Sequence, residues 1–263
     1  MHDSHRRLAW GFLAGTAVGI LGGLIGLGGA EFRLPLLISG FGFGGLEAVI
    51  INKAMSLVVV GSALPFRMGT VPFSDIAAHW HIIANLLAGS LIGAWVGAGW
   101  AMRLSSQALH RVIAVMLMFI AAVLMFGHDT SFHGAVLTGI AQGVVGVIAE
   151  FAIGVVASLL GVAGGELLIP TLILLFGVEV KLAGSLSLAV SLPTMLVGFA
   201  RYTQDRSFAV LGKNLRFVLT MAAGSLLGAF LGGQLLGVAP SGVLIPLLVA
   251  ILIISAVKVW RHR

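Results

Sequence analysis

The stretch GLGGAEFRLP (residues 26–35) returns as GVAGGELLIP (residues 161–170), and Pro35 to Pro170 is 170 − 35 = 135 residues. A second echo keeps the same spacing. AGSLIGAW (88–95) recurs as AGSLLGAF (223–230), with Gly89 to Gly224 again 224 − 89 = 135. Two separate matches at one offset read as a duplicated unit. In an apolar chain, duplication points first to a transporter made of two repeats.

The chain is apolar enough for that reading. Of its 263 residues 59% are hydrophobic and 9% charged, whereas a soluble domain carries about a quarter charged residues. Lipid must therefore be the solvent for most of the surface. Apolar runs near the ~20 residues that span hydrocarbon occupy 8–27, 48–66, 82–102, 112–126, 135–160, 183–200, 217–236 and 243–259. The run at 112–126 is short and is expected to begin earlier, near Ala108. Two further runs, 32–43 and 167–176, follow the glycine motifs and reach only half a span. The polar turn GHDTSFH (127–133) separates the halves. The N-terminal HDSHRR and its apolar run read as an uncleaved first span rather than a signal peptide.

The expected fold is all-α: a polytopic membrane protein of two tandem repeats, residues 1–127 and 135–263, each with about four transmembrane helices. Glycine breaks and short half-helices interrupt them. With eight spans, Arg6, Arg7, Arg67, Arg201, Arg206, Lys213, Arg216, Lys258, Arg261 and Arg263 share one side. The other side receives Arg33, Arg103, Arg111 and Lys181, so positive-inside places both termini in the cytoplasm. The net charge of +6 is read as topology, and no nucleic-acid partner is expected. With no cysteine, disulfides and thiolate metal sites are excluded.

Several glycines together destabilise a helix by about 1 kcal/mol each relative to alanine. Proline suits a first helical turn. Each motif therefore predicts a span, a glycine break, and a half-helix opening near Pro35 or Pro170. Half-helix N-termini at Gly28, Gly29, Gly164 and Gly165 would present N–H groups and partial positive charge to an anion. Gly89, Gly93, Gly97 and Gly224, Gly228, Gly232 have plain four-residue spacing and read as helix-packing seams.

Glu31 and Glu166 are the carboxylates that match between the halves. Each is a proton-coupling candidate, or a cap for the half-helix it opens. Arg33 stands opposite Leu168 in the 135-residue register; snorkelling to the interface is the favoured reading, with pairing or substrate contact as alternatives. Lys53 stands opposite Leu188, so Arg33 and Lys53 are asymmetric charges. Asn52 and Ser56, with their counterparts Ser187 and Ser191, form one polar stripe per half. Gln142 and Glu150 add polar groups on one face of 135–160. His79, His81, His110, His128 and His133 fall in loops or at span ends, without the spacing of a metal pair. No Walker motif, nucleophile elbow or HExxH is present, so no catalytic residue, cofactor or metal is expected.

The paired pattern G-x-G/A-G-x-E-x-x-x-P, the duplication, and AGSLSLAVSLP (183–193) resemble the TauE/SafE sulfite-exporter-like permeases. The residues carrying the likeness are Gly26, Gly28, Gly29, Pro35, Gly161, Gly164, Gly165 and Pro170. The resemblance implies a bacterial inner-membrane permease for small sulfur-containing anions, sulfur oxyanions or organosulfonates. Members often carry three consecutive glycines here, and neither half of this chain does. The expected function is a secondary anion permease, with Gly28, Gly29, Gly164, Gly165, Asn52, Ser56, Ser187 and Ser191 at the substrate. The alternative is a non-transport membrane accessory or assembly protein. The partners are a small anion and membrane lipid, with homo-oligomerisation left open.

Overall fold

The computed structural model describes residues 2–25, 29–67, 72–126, 137–235 and 241–261. Its elements are α1 (His2–Ile25), α2 (Ala30–Pro35) with a π turn at Leu36–Gly40, α3 (Gly45–Arg67), α4 (Phe73–Ala78), α5 (Trp80–Arg103) and α6 (Ser106–Phe126). There follow α7 (Gly139–Leu160), α8 (Gly165–Phe176), α9 (Val180–Tyr202), a 3-10 turn at Arg206–Ala209, α10 (Val210–Lys213), α11 (Leu215–Leu235) and α12 (Ser241–Arg261). The described residues contain no strand. Helix starts echo the sequence offset: Gly45 and Val180, Trp80 and Leu215, and Ser106 and Ser241 each differ by 135.

Six helices among the described residues are long and apolar enough to cross a membrane: α3, α5, α6, α7, α9 and α11. Helices α1 and α12 run through the other two apolar stretches, over 24 and 21 residues. The expected short span at 112–126 is the latter part of α6, which starts at Ser106. Ser105 caps it, its hydroxyl accepting the Ala108 N–H at 3.3 Å. The run at 135–160 becomes helical at Gly139, and the 127–133 turn, with His128 and His133, lies outside the described residues. Trp10, Trp80, Trp100 and Trp260 sit near helix ends with exposed rings, where interfacial aromatics belong.

The half-helices open earlier than the prolines predict. α2 begins at Ala30 and α8 at Gly165, so Pro35 and Pro170 are each the sixth helical residue. The starting signal is glycine instead. Gly29 (φ 70°) and Gly164 (φ 81°) hold left-handed conformations at the N-caps, which cost an L-residue with a side chain roughly 1–2 kcal/mol. After Pro35 the backbone loosens to i→i−5 bonding, with the Phe41 N–H on the Leu36 carbonyl at 3.0 Å. Proline supplies no N–H to the preceding turn, and the wider π turn follows directly.

The two glycine stripes are packing seams. In lipid no hydrophobic effect drives helices together, so close backbone approach must supply the attraction. Gly89, Gly93 and Gly97 of α5 lie against the Val147, Phe151 and Val155 carbonyls of α7. Gly224, Gly228 and Gly232 of α11 lie against Phe12, Thr16 and Ile20 of α1 in the same way. The contacts are reciprocal: Gly154 of α7 meets the Ser90 carbonyl, and Gly19 of α1 meets that of Ser225. Each half thus lends one helix to a partner in the other half. α6 and α12 pack together, with Ile113, Leu117, Leu252 and Val259 buried among them.

Gly228→Leu and Gly93→Leu should each destabilise the protein by about 3 kcal/mol or more, since a rigid backbone carbonyl fills the space. At Gly61 of α3 a methyl group would meet nothing within 4 Å, so Gly61→Ala should stabilise by up to about 1 kcal/mol. Thermal unfolding in detergent reads both signs.

Candidate functional site

Helix α7 ends where the polar centre begins. Gly161 turns the chain left-handed at φ 67°. The Val162 N–H donates to the Ala157 carbonyl at 2.9 Å and the Gly161 N–H to that of Ser158 at 3.1 Å, a Schellman closure. Even so, the last carbonyls of α7 receive further donors from other helices. Their partners come from the polar stripe of α3 and the end of α9.

Asn52 of α3 donates through Nδ2 to the Leu160 carbonyl at 3.1 Å and to the Ala30 carbonyl of α2 at 3.0 Å. Ser56 Oγ bonds the Asn52 carbonyl at 2.8 Å and lies 3.4 Å from that of Gly161. Lys53 Nζ lies 3.4 Å from both the Ala157 carbonyl and Ser158 Oγ, and Tyr202 OH donates to the Ser158 carbonyl at 2.8 Å. The C-terminal end of a helix carries partial negative charge, so a cation is favoured there. Lys53 fits because Gly198 of α9 has no side chain: a methyl group there would sit 3.0 Å from Nζ.

Arg33 does not snorkel. It is 0% exposed, as is Lys53, because α2 turns inward from its glycine cap instead of running to the interface. Its Nε donates to Asn52 Oδ1 at 2.7 Å, Nη2 to Ser56 Oγ at 2.6 Å, and Nη1 to Ser225 Oγ of α11 at 3.3 Å. Nη2 also reaches the Asn52 carbonyl at 3.4 Å. Those partners are all neutral, and Glu31 acts on the guanidinium through the electrostatic field.

Glu31 and Glu166, in the first turns of α2 and α8, are buried and turned toward each other. Neither Glu166 oxygen accepts a hydrogen bond, and neither does Glu31 Oε1. The Glu166 N–H lies close to its own carboxyl without hydrogen-bond geometry. Capping is therefore a poor description of these side chains. Two like charges ~4 Å apart repel by about 4 kcal/mol at an effective dielectric near 20, so the pair needs a proton or a nearby cation.

The other expected site residues scatter around this centre. Gly29, Gly164 and Gly165 form the half-helix starts, whereas Gly28 lies outside the described residues. Ser187 is buried and bonds the Gly184 carbonyl at 2.9 Å within its own helix. Ser191 lines a separate cavity with Glu150 and Thr194. Asn52, Ser56, Arg33 and Lys53 are gathered on α2 and α3; Ser187 and Ser191 lie apart from them on α9. Gln142 Nε2 donates to the Leu175 carbonyl at 2.7 Å, and His110 is buried near the start of α6. Sequence reasoning passed over Ser225, Ser158, Gly198 and Tyr202. Tyr202, the one tyrosine in the chain, offered the clearest signal.

Fold and site together define a multi-pass helical membrane protein with a charged, solvent-excluded centre. A family model described as Sulfite exporter TauE/SafE matches residues 7–259, and the chain belongs to that family, one of sulfite-exporter-type membrane transporters. No curated protein and no solved structure matches the chain.

Asn52→Ala would strand Arg33 Nε and the Ala30 and Leu160 carbonyls together. We expect a loss of about 2–4 kcal/mol, read as a lower unfolding temperature in detergent. Gly29 and Gly164 should differ. A methyl group at Gly29 meets the Val18 carbonyl at 2.5 Å, whereas at Gly164 it meets only side chains, at 3.2–3.3 Å. Gly164→Ala should therefore keep a folded, monodisperse protein by size-exclusion chromatography, and Gly29→Ala should not.

Proposed function

We propose that this chain is a secondary permease for small anions, sulfur oxyanions or organosulfonates, built as two repeats. We place it in a bacterial inner membrane with both termini cytoplasmic, as the distribution of Lys and Arg favours. One observation carries the reading. Two fully buried cations, Arg33 and Lys53, hydrogen-bond only to neutral groups among the described residues. A buried charge without an opposite partner is costly, and an anionic substrate would supply that partner.

The half-helix starts contribute less directly than their dipoles alone imply. Glu31 and Glu166 occupy both first turns, so the anion is drawn to the basic side of the centre. Arg33 offers a planar fork suited to an oxyanion. Lys53 offers a point charge held by long bonds, with Asn52 and Ser56 as neutral donors beside them. Gly164 and Gly165 shape the approach, and Ser187 and Ser191 extend the polar lining along α9. The Glu31–Glu166 pair is the coupling element: one proton between the carboxyls removes their repulsion, and releasing it restores a charge beside Arg33.

Direction follows from charge. A monoanion gains about 2.3 kcal/mol per 100 mV on leaving a cell that is negative inside. Export therefore runs without coupling, whereas concentrative uptake needs a co-transported cation.

In proteoliposomes, Lys53→Leu should cut sulfite or sulfonate counterflow at least about tenfold. Its stability should stay within roughly 1 kcal/mol of the parent, since burial cost and helix-end attraction oppose each other. Unchanged flux in Lys53→Leu and in Arg33→Gln, or no flux of any sulfur oxyanion or sulfonate in the parent, rejects the anion site. Glu31→Gln and Glu166→Gln should flatten the dependence of flux on pH. If parent flux is already pH-independent and both variants match it, the pair has no coupling role.

A further inference from the structure

Glu150 is buried on α7, and its Oε1 has no hydrogen-bond partner. It faces a cavity of about 180 Å³ shared with Leu168, Ala163, Ser191 and Thr194. The cavity, as it stands, is too tight for a water molecule. Buried polar atoms without partners are rare in native structures and need an explanation.

The 135-residue register says what this space corresponds to. Arg33 falls on Leu168, Ser56 on Ser191 and Ser225 on Ser90. In the first set the Arg33 guanidinium fills the space and bonds Ser56 and Ser225. In the second set Leu168 leaves the space open. Ser191 lines it, and Ser90 bonds Thr194 at 2.8 Å. A carboxylate, Glu150, enters from α7, where the register places Gly15 in α1. One space thus holds a resident cation, and its counterpart holds an acid and hydroxyl oxygens around a void.

We propose that the Glu150–Ser191–Thr194 cavity binds a dehydrated sodium ion, which travels with the anion. Hard cations take oxygen ligands, and the lining supplies a carboxylate with two hydroxyl groups. The tight space rejects a hydrated ion and favours Na⁺ or Li⁺ over the larger K⁺. This inference rests on the anion-permease reading for its role and on Glu150 and its cavity for the site. A dianion entering with one proton still carries net negative charge against the membrane potential, and a second cation cancels it.

The test is binding of radioactive sodium to the purified protein in lipid nanodiscs, without anion. We expect saturable binding displaced by unlabelled Na⁺ or Li⁺ and about tenfold less well by K⁺. Binding should vanish in Glu150→Gln. It should weaken about tenfold in Ser191→Ala, which removes one charge-assisted ligand. The absence of saturable binding by the parent protein overturns the proposal, as does binding unchanged in both variants. Sodium binding in a protein that moves no anion would overturn the permease reading and leave the cation site standing. Anion flux without sodium binding would do the reverse.

Discussion

A guanidinium removed from both water and lipid fixes the centre of this protein. Arg33 cannot be buried without acceptors, and it finds them on two other helices: Asn52 and Ser56 of α3 and Ser225 of α11. Asn52 in turn holds the Ala30 carbonyl of α2 and the last carbonyl of α7. Four elements distant in sequence are thereby pinned at one point, and the break between α7 and α8 is held beside it. Leucine at the matching position of the other half shows that packing alone does not demand the charge.

The two buried cations are held in different ways. Arg33 uses its fork, with short bonds to Asn52 and Ser56 in fixed directions. Lys53 rests at the carbonyl end of α7 with contacts of 3.4 Å, in room left by Gly198. The difference follows their chemistry: a planar, pre-organised group suits a structural hub, and a point charge on a flexible stem tolerates a change of partner. The acids are arranged otherwise. Glu31 and Glu166 face each other, and Glu150 faces a void. Charge in this interior is therefore separated into a basic side and an acidic side within a few helices.

The seams that hold this centre use almost no side chain. α5 against α7 and α11 against α1 approach until glycine meets carbonyl, so each half is braced by a helix of the other. Such contact leaves the half-helices α2 and α8 enclosed between the seams. Their left-handed glycine caps set where they start, and the polar hub sets where they point.

Much of the architecture was legible in the sequence because lipid constrains it so strongly. Apolar runs of span length, glycines four apart and two half-length runs each have one economical reading, and the helices follow them. The helix starts at Gly29 and Gly164 were less legible, because proline marks a first turn only loosely whereas a glycine cap depends on the actual φ. The sequence by itself determined the membrane class, the 135-residue register and the residues that break it, Arg33 and Lys53. Only the tertiary structure decided what those residues touch. Burial of Arg33, the meeting of Glu31 with Glu166, and the void at Glu150 arise where helices far apart in the chain converge. A one-dimensional pattern records the spacing along a helix, not which neighbour supplies the missing hydrogen bond.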